Sequence, residues 1–345
     1  MEIRVPDYVE SIHPEFQEYF DKKHFNGKKH YPQTIADANN YVLFDIFRAH
    51  ETDTITVKYK QPVSENSKKT TTVEQTFKYP DDYLALFSYD NWKHLGKRER
   101  IIALYWLSLD LMETLNTPPN INFCFISEMK SQLGFYIHNS RINDIQIAPE
   151  YIIDKDVSVF TIVDTIAHEL QHSVYDSVKH KHYMREQNLV SYFEASGRDD
   201  IESKRDEVLE NTYNYIMYYF QPNELEAHRM GINLSFVVFH EVVQLTGQMS
   251  ARDLNYFNKT KKEHNNLVKL KNKMFENLDF DRHLDLYYLL DALIDDSENP
   301  AFSDKEAKKI EKDIAEVKRL IEEEKKVIFK NLMDYMLKNA SANVK

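Results

Sequence analysis

Near the middle of the chain the sequence reads Thr161-Ile-Val-Asp-Thr-Ile-Ala-His168-Glu169-Leu-Gln-His172-Ser-Val-Tyr175. Apolar residues recur in it at helical spacing, and we therefore expect a helix from Val159 to about Ser177 with one buried face. Because His168 and His172 are four residues apart, their imidazoles lie one turn apart on the same face of that helix. Two imidazoles so placed can bind one zinc ion, with Glu169 beside them.

These residue types suit hydrolysis at a metal centre. Zinc lowers the pKa of a bound water toward neutrality, and a neighbouring carboxylate can take the proton that the water loses. His168 and His172 are therefore candidate metal ligands, and Glu169 is the candidate general base. A match to His-Glu-x-x-His arises by chance in about one chain in twenty of this composition, so the apolar helix around the motif carries part of the argument.

A third protein ligand is expected further along the chain. The segment Gln221-Pro-Asn-Glu224-Leu-Glu226-Ala-His228-Arg-Met-Gly231 has a proline where a new helix, from Pro222 to about Leu245, is expected to begin. Two histidines and one glutamate form a common catalytic zinc site. One of the two glutamates in this segment, Glu224 or Glu226, would complete such a site.

Strand patterns come before the motif helix. Residues 120–126 predict a buried strand, and residues 133–138 and 144–149 predict a strand pair joined by a polar turn. Residues 97–116 have the apolar spacing of a helix, which the two prolines that follow would end. A small sheet followed by several helices predicts the α+β class.

With these motifs the chain resembles the gluzincin metallopeptidases, in particular a small bacterial branch in which a short sheet and a His-Glu-x-x-His helix precede a glutamate-bearing helix. The resemblance covers about residues 97–247 and includes Gly134-Phe-Tyr136, a turn, and Ile145-Gln-Ile147. It implies a zincin-like α+β fold, in which a small mixed or antiparallel sheet packs on the motif helix and on the second ligand helix. It also implies one zinc ion per chain and a peptide or protein substrate that adds to the sheet edge as a strand, with Gly134 and Tyr136 as substrate-binding residues.

The resemblance also implies individual roles: His168, His172 and Glu224 as metal ligands, and Glu169 as general base. In one form of the family pattern, Glu-x-x-x-Asp, the last acid orients a ligand histidine. His228 occupies that position here, and this departure keeps Glu226 and His228 open as alternative ligands. The side chain that stabilises the oxyanion stays open among four candidates, which are Tyr136, Tyr175, His180 and Arg229.

The regions around the motif divide the chain into three expected blocks. Residues 1–95 form an N-terminal α/β region with a long hairpin, residues 96–250 the zincin-like domain, and residues 251–345 a helical C-terminal region. The hairpin is predicted from the alternating segments 54–60 and 72–79, which are separated by a polar stretch.

A long amphipathic helix is expected near the C-terminus. Ser303-Asp-Lys-Glu306 has the form of a capping box. Apolar residues then follow at spacings of four, three, four and seven, at Ile310, Ile314, Val317, Ile321 and Ile328. We favour packing of this helix on its own domain, and the alternative is a helix-mediated oligomer or partner contact through residues 303–336.

Composition excludes several classes of protein. The 345 residues are 42% hydrophobic, enough for two domains or one elaborated domain, and the single cysteine, Cys124, excludes intramolecular disulfides and zinc sites built on several thiolates. The net charge of -12 argues against a nucleic-acid partner. The sequence has neither a signal-peptide pattern nor an apolar run of about 20 residues. We therefore expect a cytoplasmic protein that does not enter a membrane.

The predicted function is that of a zinc-dependent metallopeptidase, which hydrolyses peptide bonds with zinc-activated water and Glu169 as general base. The alternative is a catalytically silent, zinc-stabilised binding or assembly module that uses the zincin fold. The presence of Glu169 argues against that alternative, since a structural site needs no general base. In a third interpretation the motif is accidental and the chain is a metal-free helical scaffold, whose stability a chelator would not change.

Overall fold

The computed structural model describes residues 53–63, 68–117, 122–125, 133–138, 143–148, 151–152, 154, 157–182, 204–297 and 303–342. The chain forms two compact units, Met1–Ser177 with Glu226–Asn258, and Val178–Leu225 with Lys259–Lys345. The units are interleaved along the chain and do not follow the block borders expected near residues 95 and 250. Each unit joins segments that are distant in sequence, which a division into consecutive blocks cannot represent.

A β-hairpin is the first described element of the first unit. Strands β1 (Thr54–Pro62) and β2 (Thr70–Lys78) pair antiparallel. Ile55 and Val57 point to the buried side of β1, and Ile55 lies opposite the buried Phe77. Most of the other hairpin residues are exposed, because alternate residues of a strand face opposite sides. The predicted hairpin is confirmed.

The second sheet of this unit is mixed. It consists of β3 (Asn122–Phe125), β4 (Gly134–His138) and β5 (Asn143–Ile147) in the order β3-β5-β4. Strand β3 runs parallel to β5, and β4 runs antiparallel to it. Within the described strands, β4 therefore lies at an edge, where one side of its backbone has no strand neighbour.

Helices form the rest of the described part of the first unit. A short 3₁₀ helix (Tyr83–Phe87) and α1 (Tyr89–Trp92) precede α2 (Lys97–Leu115), which ends where Asn116 adopts a left-handed φ of 51°. Every residue of α2 from Arg100 to Ser108 is buried, so this part of the helix lies inside the core. Its bounds match the predicted helix 97–116 within one residue.

Helix α3 (Val159–His182) carries the His-Glu-x-x-His motif. The predicted end of this helix near Ser177 was wrong, because the backbone of α3 continues to His182. Five further helices are described after α3: α4 (Lys204–Tyr219), α5 (Pro222–Thr246), α6 (Ala251–Met274), α7 (Phe280–Ser297) and α8 (Asp304–Ala342).

Each unit has its own apolar core. In the first unit, the core combines helix and sheet residues that are 2% exposed or less, among them Leu86, Phe87, Ile101, Trp106, Ile145, Ile166 and Leu170. In the second unit it combines residues of α4, α7 and α8, among them Tyr213, Ile216, Met217, Leu290 and Ile328. Burial of each such side chain contributes about 1.5–3 kcal/mol.

The C-terminal helix begins at the predicted capping sequence. The Glu306 carboxylate accepts hydrogen bonds from the backbone N–H of Ser303 at 2.9 Å and from its hydroxyl at 2.6 Å. The apolar seam of α8 lies in the core of the second unit, where Val317, Ile321, Ile328 and Leu332 are buried. At these positions the helix packs within its own unit, as favoured from sequence.

The described residues are mostly helical with two small sheets, which places the chain in the α+β class, as the order of predicted elements indicated. A helix that crosses a bilayer needs about 20 mostly apolar residues. None of the helices in the described ranges has the length and apolarity required.

Candidate metal centre

Two histidines of α3 converge on one point. His168, which is 8% exposed, and His172 have their Nε2 atoms 3.1 Å apart and their ring centroids 4.8 Å apart. With Zn–N bonds of about 2.0–2.1 Å, two nitrogens of a tetrahedral site lie about 3.3 Å apart. The observed separation is thus close to the one that a shared zinc ion requires.

Glu169 lies beside this histidine pair. It is also 8% exposed, and ligand atoms of His168, Glu169 and His172 all lie within 4.8 Å of one another. An acid and two imidazoles this close, two of the three buried and His172 half-buried, can hold a cation or exchange a proton. The structure therefore brings together the three residues that the motif predicted.

Helix α5 supplies a second pair of possible ligands. Glu224 lies in its first turn and is 2% exposed, and His228 follows one turn later on the same face. Ligand atoms of Glu224, His228 and His168 also lie within 4.8 Å of one another, and the rings of His168 and His228 are 4.4 Å apart. The alternative ligand Glu226 is exposed and belongs to neither group of ligand atoms in the described residues.

A glycine lets α5 approach α3 at the level of His168. A Cβ atom built on Gly231 would lie 2.2 Å from Oδ1 of Asp164, 2.8 Å from its carbonyl oxygen and 3.3 Å from Cβ of His168. No residue other than glycine fits at that distance from a backbone oxygen. The sequence assigned no role to Gly231. A glycine inside a helix costs about 1 kcal/mol relative to alanine, so its presence there indicates a packing constraint.

A carboxylate lies one turn before the first histidine. Asp164 accepts a hydrogen bond from the hydroxyl of Tyr256 on α6. Burial raises the pKa of Asp164 to about 6, while the Tyr256 hydrogen bond and the charge of His168 act in the opposite direction. Carboxylates near a ligating histidine commonly fix its orientation, and Asp164 is placed for that role. In the sequence, the sign of this role is that Asp164 is an acid within an otherwise apolar stretch of helix.

Strand β4 passes directly over α3. A Cβ atom on Gly134 would lie 2.3 Å from Cγ2 of Thr165 and 3.1 Å from Cγ of Glu169, so glycine permits this contact. Tyr136, which faces the same side of the strand two residues later, is half-buried against the core. The edge strand therefore lies beside the candidate base.

The remaining sequence candidates are less informative. Arg229 is exposed on α5. The side chains of Tyr175 and His180 lie outside the described residues, as does that of Cys124, whose backbone belongs to β3. The described residues therefore do not select an oxyanion-stabilising side chain.

No protein-family model, no curated protein and no solved structure matches the chain.

Proposed function

We propose that the chain is a zinc-dependent metallopeptidase with a zincin-like fold. The observation that carries the proposal is the 3.1 Å approach of the His168 and His172 Nε2 atoms beside the buried Glu169. One cation between the two Nε2 atoms would bind both imidazoles at once.

His168, His172 and Glu224 are the proposed zinc ligands. Neutral imidazoles and a carboxylate match the ligand preference of zinc, and three protein ligands leave one position for water or substrate. Zinc in this position would polarise the scissile carbonyl and make a water acidic near neutral pH. Glu169 would accept the proton of the attacking water and pass it to the nitrogen of the leaving amine.

An extended peptide is the substrate that suits the neighbouring strand. An unpaired strand edge can bind a peptide through backbone hydrogen bonds. The contact of Gly134 with Thr165 and Glu169 keeps β4 close to the candidate base. A peptide added along β4 would therefore bring its backbone near Glu169, with Gly134 and Tyr136 as the contacting residues.

The test is a cleavage assay on a peptide library, with mass spectrometry as the readout, for the zinc-loaded parent and for Glu169→Gln. The amide keeps the size of the side chain but cannot act as a base, so we expect unchanged zinc content and cleavage reduced by about 10²–10⁴-fold. Glu226→Gln, which changes an exposed acid of α5, is the matched control and should cleave like the parent. Equal cleavage by Glu169→Gln, or no cleavage by the zinc-loaded parent, would overturn the proposal.

His228 favours a second candidate function, the catalytically silent zinc module. Its ring lies 4.4 Å from that of His168, and its ligand atom groups with those of His168 and Glu224. His172 belongs to the other group around His168, and with it a shared ion would have four protein ligands. A closed tetrahedral site of this kind has a structural role and leaves no position for a reacting water. His228→Ala separates the two functions: zinc retention with full cleavage supports the peptidase, whereas loss of zinc from a parent that cleaves nothing supports the module.

A further inference from the structure

A cavity of about 560 Å³ opens in the first unit at the start of α6. Phe160, Phe239, Val242 and Met249 give it apolar lining, and Tyr89 and Arg252 also line it. Sites for small molecules have volumes of about 300–1,000 Å³ and combine apolar walls with a few polar groups. The cavity has the size and the composition of such a site.

Arg252 gives the cavity a donor that needs an acceptor. Its Nη2 atom is buried and has no hydrogen-bond partner among the described residues. The guanidinium lies 5.7 Å from the ring centroid of Tyr89, which also lines the cavity. Buried donors are normally paired, so an unpaired guanidinium N–H at a cavity wall points to a ligand with an acceptor group.

The acids near the cavity already have partners. Asp90 pairs with Lys93 at 2.5 Å, and Oδ1 of Asp253 accepts a hydrogen bond from the Ser158 hydroxyl at 2.7 Å. Asp253 also attracts Arg252, its neighbour in sequence. The Nη2 atom of Arg252 nevertheless has no hydrogen-bond partner among the described residues.

Arg252 is the only cation that lines the cavity among the described residues, beside the acids Asp90 and Asp253. Burial and, to a lesser degree, the charge of Arg252 lower the pKa of Arg100, which does not line the cavity. Because Asp90 is paired with Lys93, its charge is partly neutralised. The cavity also lies at the N-terminus of α6, where the helix dipole favours an anion.

We propose that this cavity binds a carboxylate attached to an aromatic or aliphatic group. Arg252 would pair with the carboxylate, while Phe160 and Phe239 would contact the apolar group. A free organic acid and the C-terminal residue of a peptide share this chemistry. The proposal does not depend on zinc, since Phe160 precedes His168 by eight residues, about 12 Å along the helix.

The test is isothermal titration of the full chain with N-acetyl-L-phenylalanine and with its amide, which lacks the negative charge. We expect the acid to bind at least about tenfold more tightly than the amide, as a charged hydrogen bond implies. Arg252→Gln should remove that difference. Arg98→Gln, an exposed arginine of α2 that does not line the cavity, is the matched control and should bind like the parent.

A second variant keeps the proposal testable if Arg252→Gln does not fold. Ala251 is exposed and lines the cavity, so Ala251→Trp should obstruct it and abolish binding while the thermal unfolding temperature is kept. A ten-residue peptide ending in phenylalanine separates the two sources: binding of peptide and amino acid supports peptide C-termini, and binding of the amino acid alone supports a free acid. Equal binding of acid and amide, parent-like binding by Arg252→Gln or Ala251→Trp, or no binding of the acid by the parent at about 10 mM would overturn the proposal.

Discussion

At the scale of single residues, the candidate centre depends on two glycines as well as on its possible ligands. Gly134 and Gly231 both lie against α3, and a Cβ atom on either would come within 2.3 Å of an α3 side chain. The two glycines allow β4 and α5 to approach Glu169 and His168. Close packing of this kind does not tolerate even one added carbon without a shift of the backbone.

Gly231→Ser should therefore disturb both folding and metal binding. Forcing a side chain into a packed contact lowers the free energy of unfolding by about 1–3 kcal/mol, and displacement of α5 from α3 should weaken zinc binding as well. Chemical denaturation and competition with a zinc chelator measure the two effects. Gly96→Ser is the control, because Gly96 is the exposed N-cap of α2, where serine is favoured and the nearest atom is the end of the Glu99 side chain. Equal effects of the two substitutions would contradict the packing role of Gly231.

Asp164→Asn tests the carboxylate next to the first histidine. If Asp164 orients His168, the amide should weaken zinc binding by about 10–100-fold. Asp110→Asn is a matched control, since Asp110 also accepts hydrogen bonds from tyrosine hydroxyls, those of Tyr79 and Tyr83, away from the candidate ligands. Zinc affinity that falls equally in both variants would indicate a general loss of stability instead.

The motif residues could be predicted from sequence because their relation is local. His168, Glu169 and His172 belong to one helix, and the helical repeat alone brings them to one side. Asp164 with Tyr256, and Gly231 with α3, meet only because separate helices pack together. No spacing along the chain encodes those contacts, so these residues were found only in the structure.

At the scale of elements, α8 supplies the longest apolar seam of the second unit. Ile328 is fully buried in that unit, whereas its neighbour Val327 is 43% exposed. Ile328→Ala should lower the free energy of unfolding by about 2–5 kcal/mol, and Val327→Ala should change it by no more than about 0.5 kcal/mol. Denaturation at several protein concentrations is the measurement. A loss in Ile328→Ala that depends on protein concentration would show that the seam packs between chains.

A buried polar chain joins three helices of the second unit. His283 on α7 donates through Nδ1 to Glu324 on α8 at 2.7 Å. Its Nε2 therefore accepts from the hydroxyl of Tyr213 on α4, also at 2.7 Å, when the imidazole is neutral. The hydroxyl of Tyr287 lies 2.7 Å from that of Tyr213, which extends the chain to a second tyrosine.

This series of hydrogen-bonded side chains should make the second unit less stable in acid. Burial lowers the pKa of His283 from its usual 6.5, although Glu324 acts in the opposite direction. The unfolded chain then binds a proton more readily than the folded one. The stability contributed by neutral His283 is thus present above pH 6.5 and is lost as the pH falls through the lower pKa of the folded state. Denaturation between pH 8 and 5 should show a decline that is smaller in His283→Gln, and an equal decline in both proteins would contradict this.

The elements themselves were largely predictable, because hydrophobic periodicity and capping are local. The bounds of α2, α5 and the strand pair agree with prediction within a few residues, and the end of α3 does not. Residues 179–182 carry lysines and histidines that resemble a polar loop, but all four are compatible with a helix. The division into units was not predictable either, since it depends on which helices pack together.

At the scale of the whole molecule, the proposed function depends on one metal site in a chain whose single cysteine cannot form an intramolecular disulfide. If zinc joins α3 to α5 through their paired ligands, its removal should lower stability as well as abolish peptide cleavage. Thermal unfolding with and without a chelator measures the first effect. A melting temperature unchanged by the chelator, in protein that had bound zinc, would contradict it.

The most direct test is the zinc content of the full chain, measured by elemental mass spectrometry on protein purified without added metal and again after reconstitution. Parent, His168→Ala and Glu224→Ala are compared, with Glu226→Ala as the exposed control. We predict one zinc per chain in the parent and in Glu226→Ala, and none in His168→Ala or Glu224→Ala. Zinc kept by Glu224→Ala but lost from His168→Ala would assign the third position to His228. A parent that binds no zinc even after reconstitution would contradict the proposed zinc site.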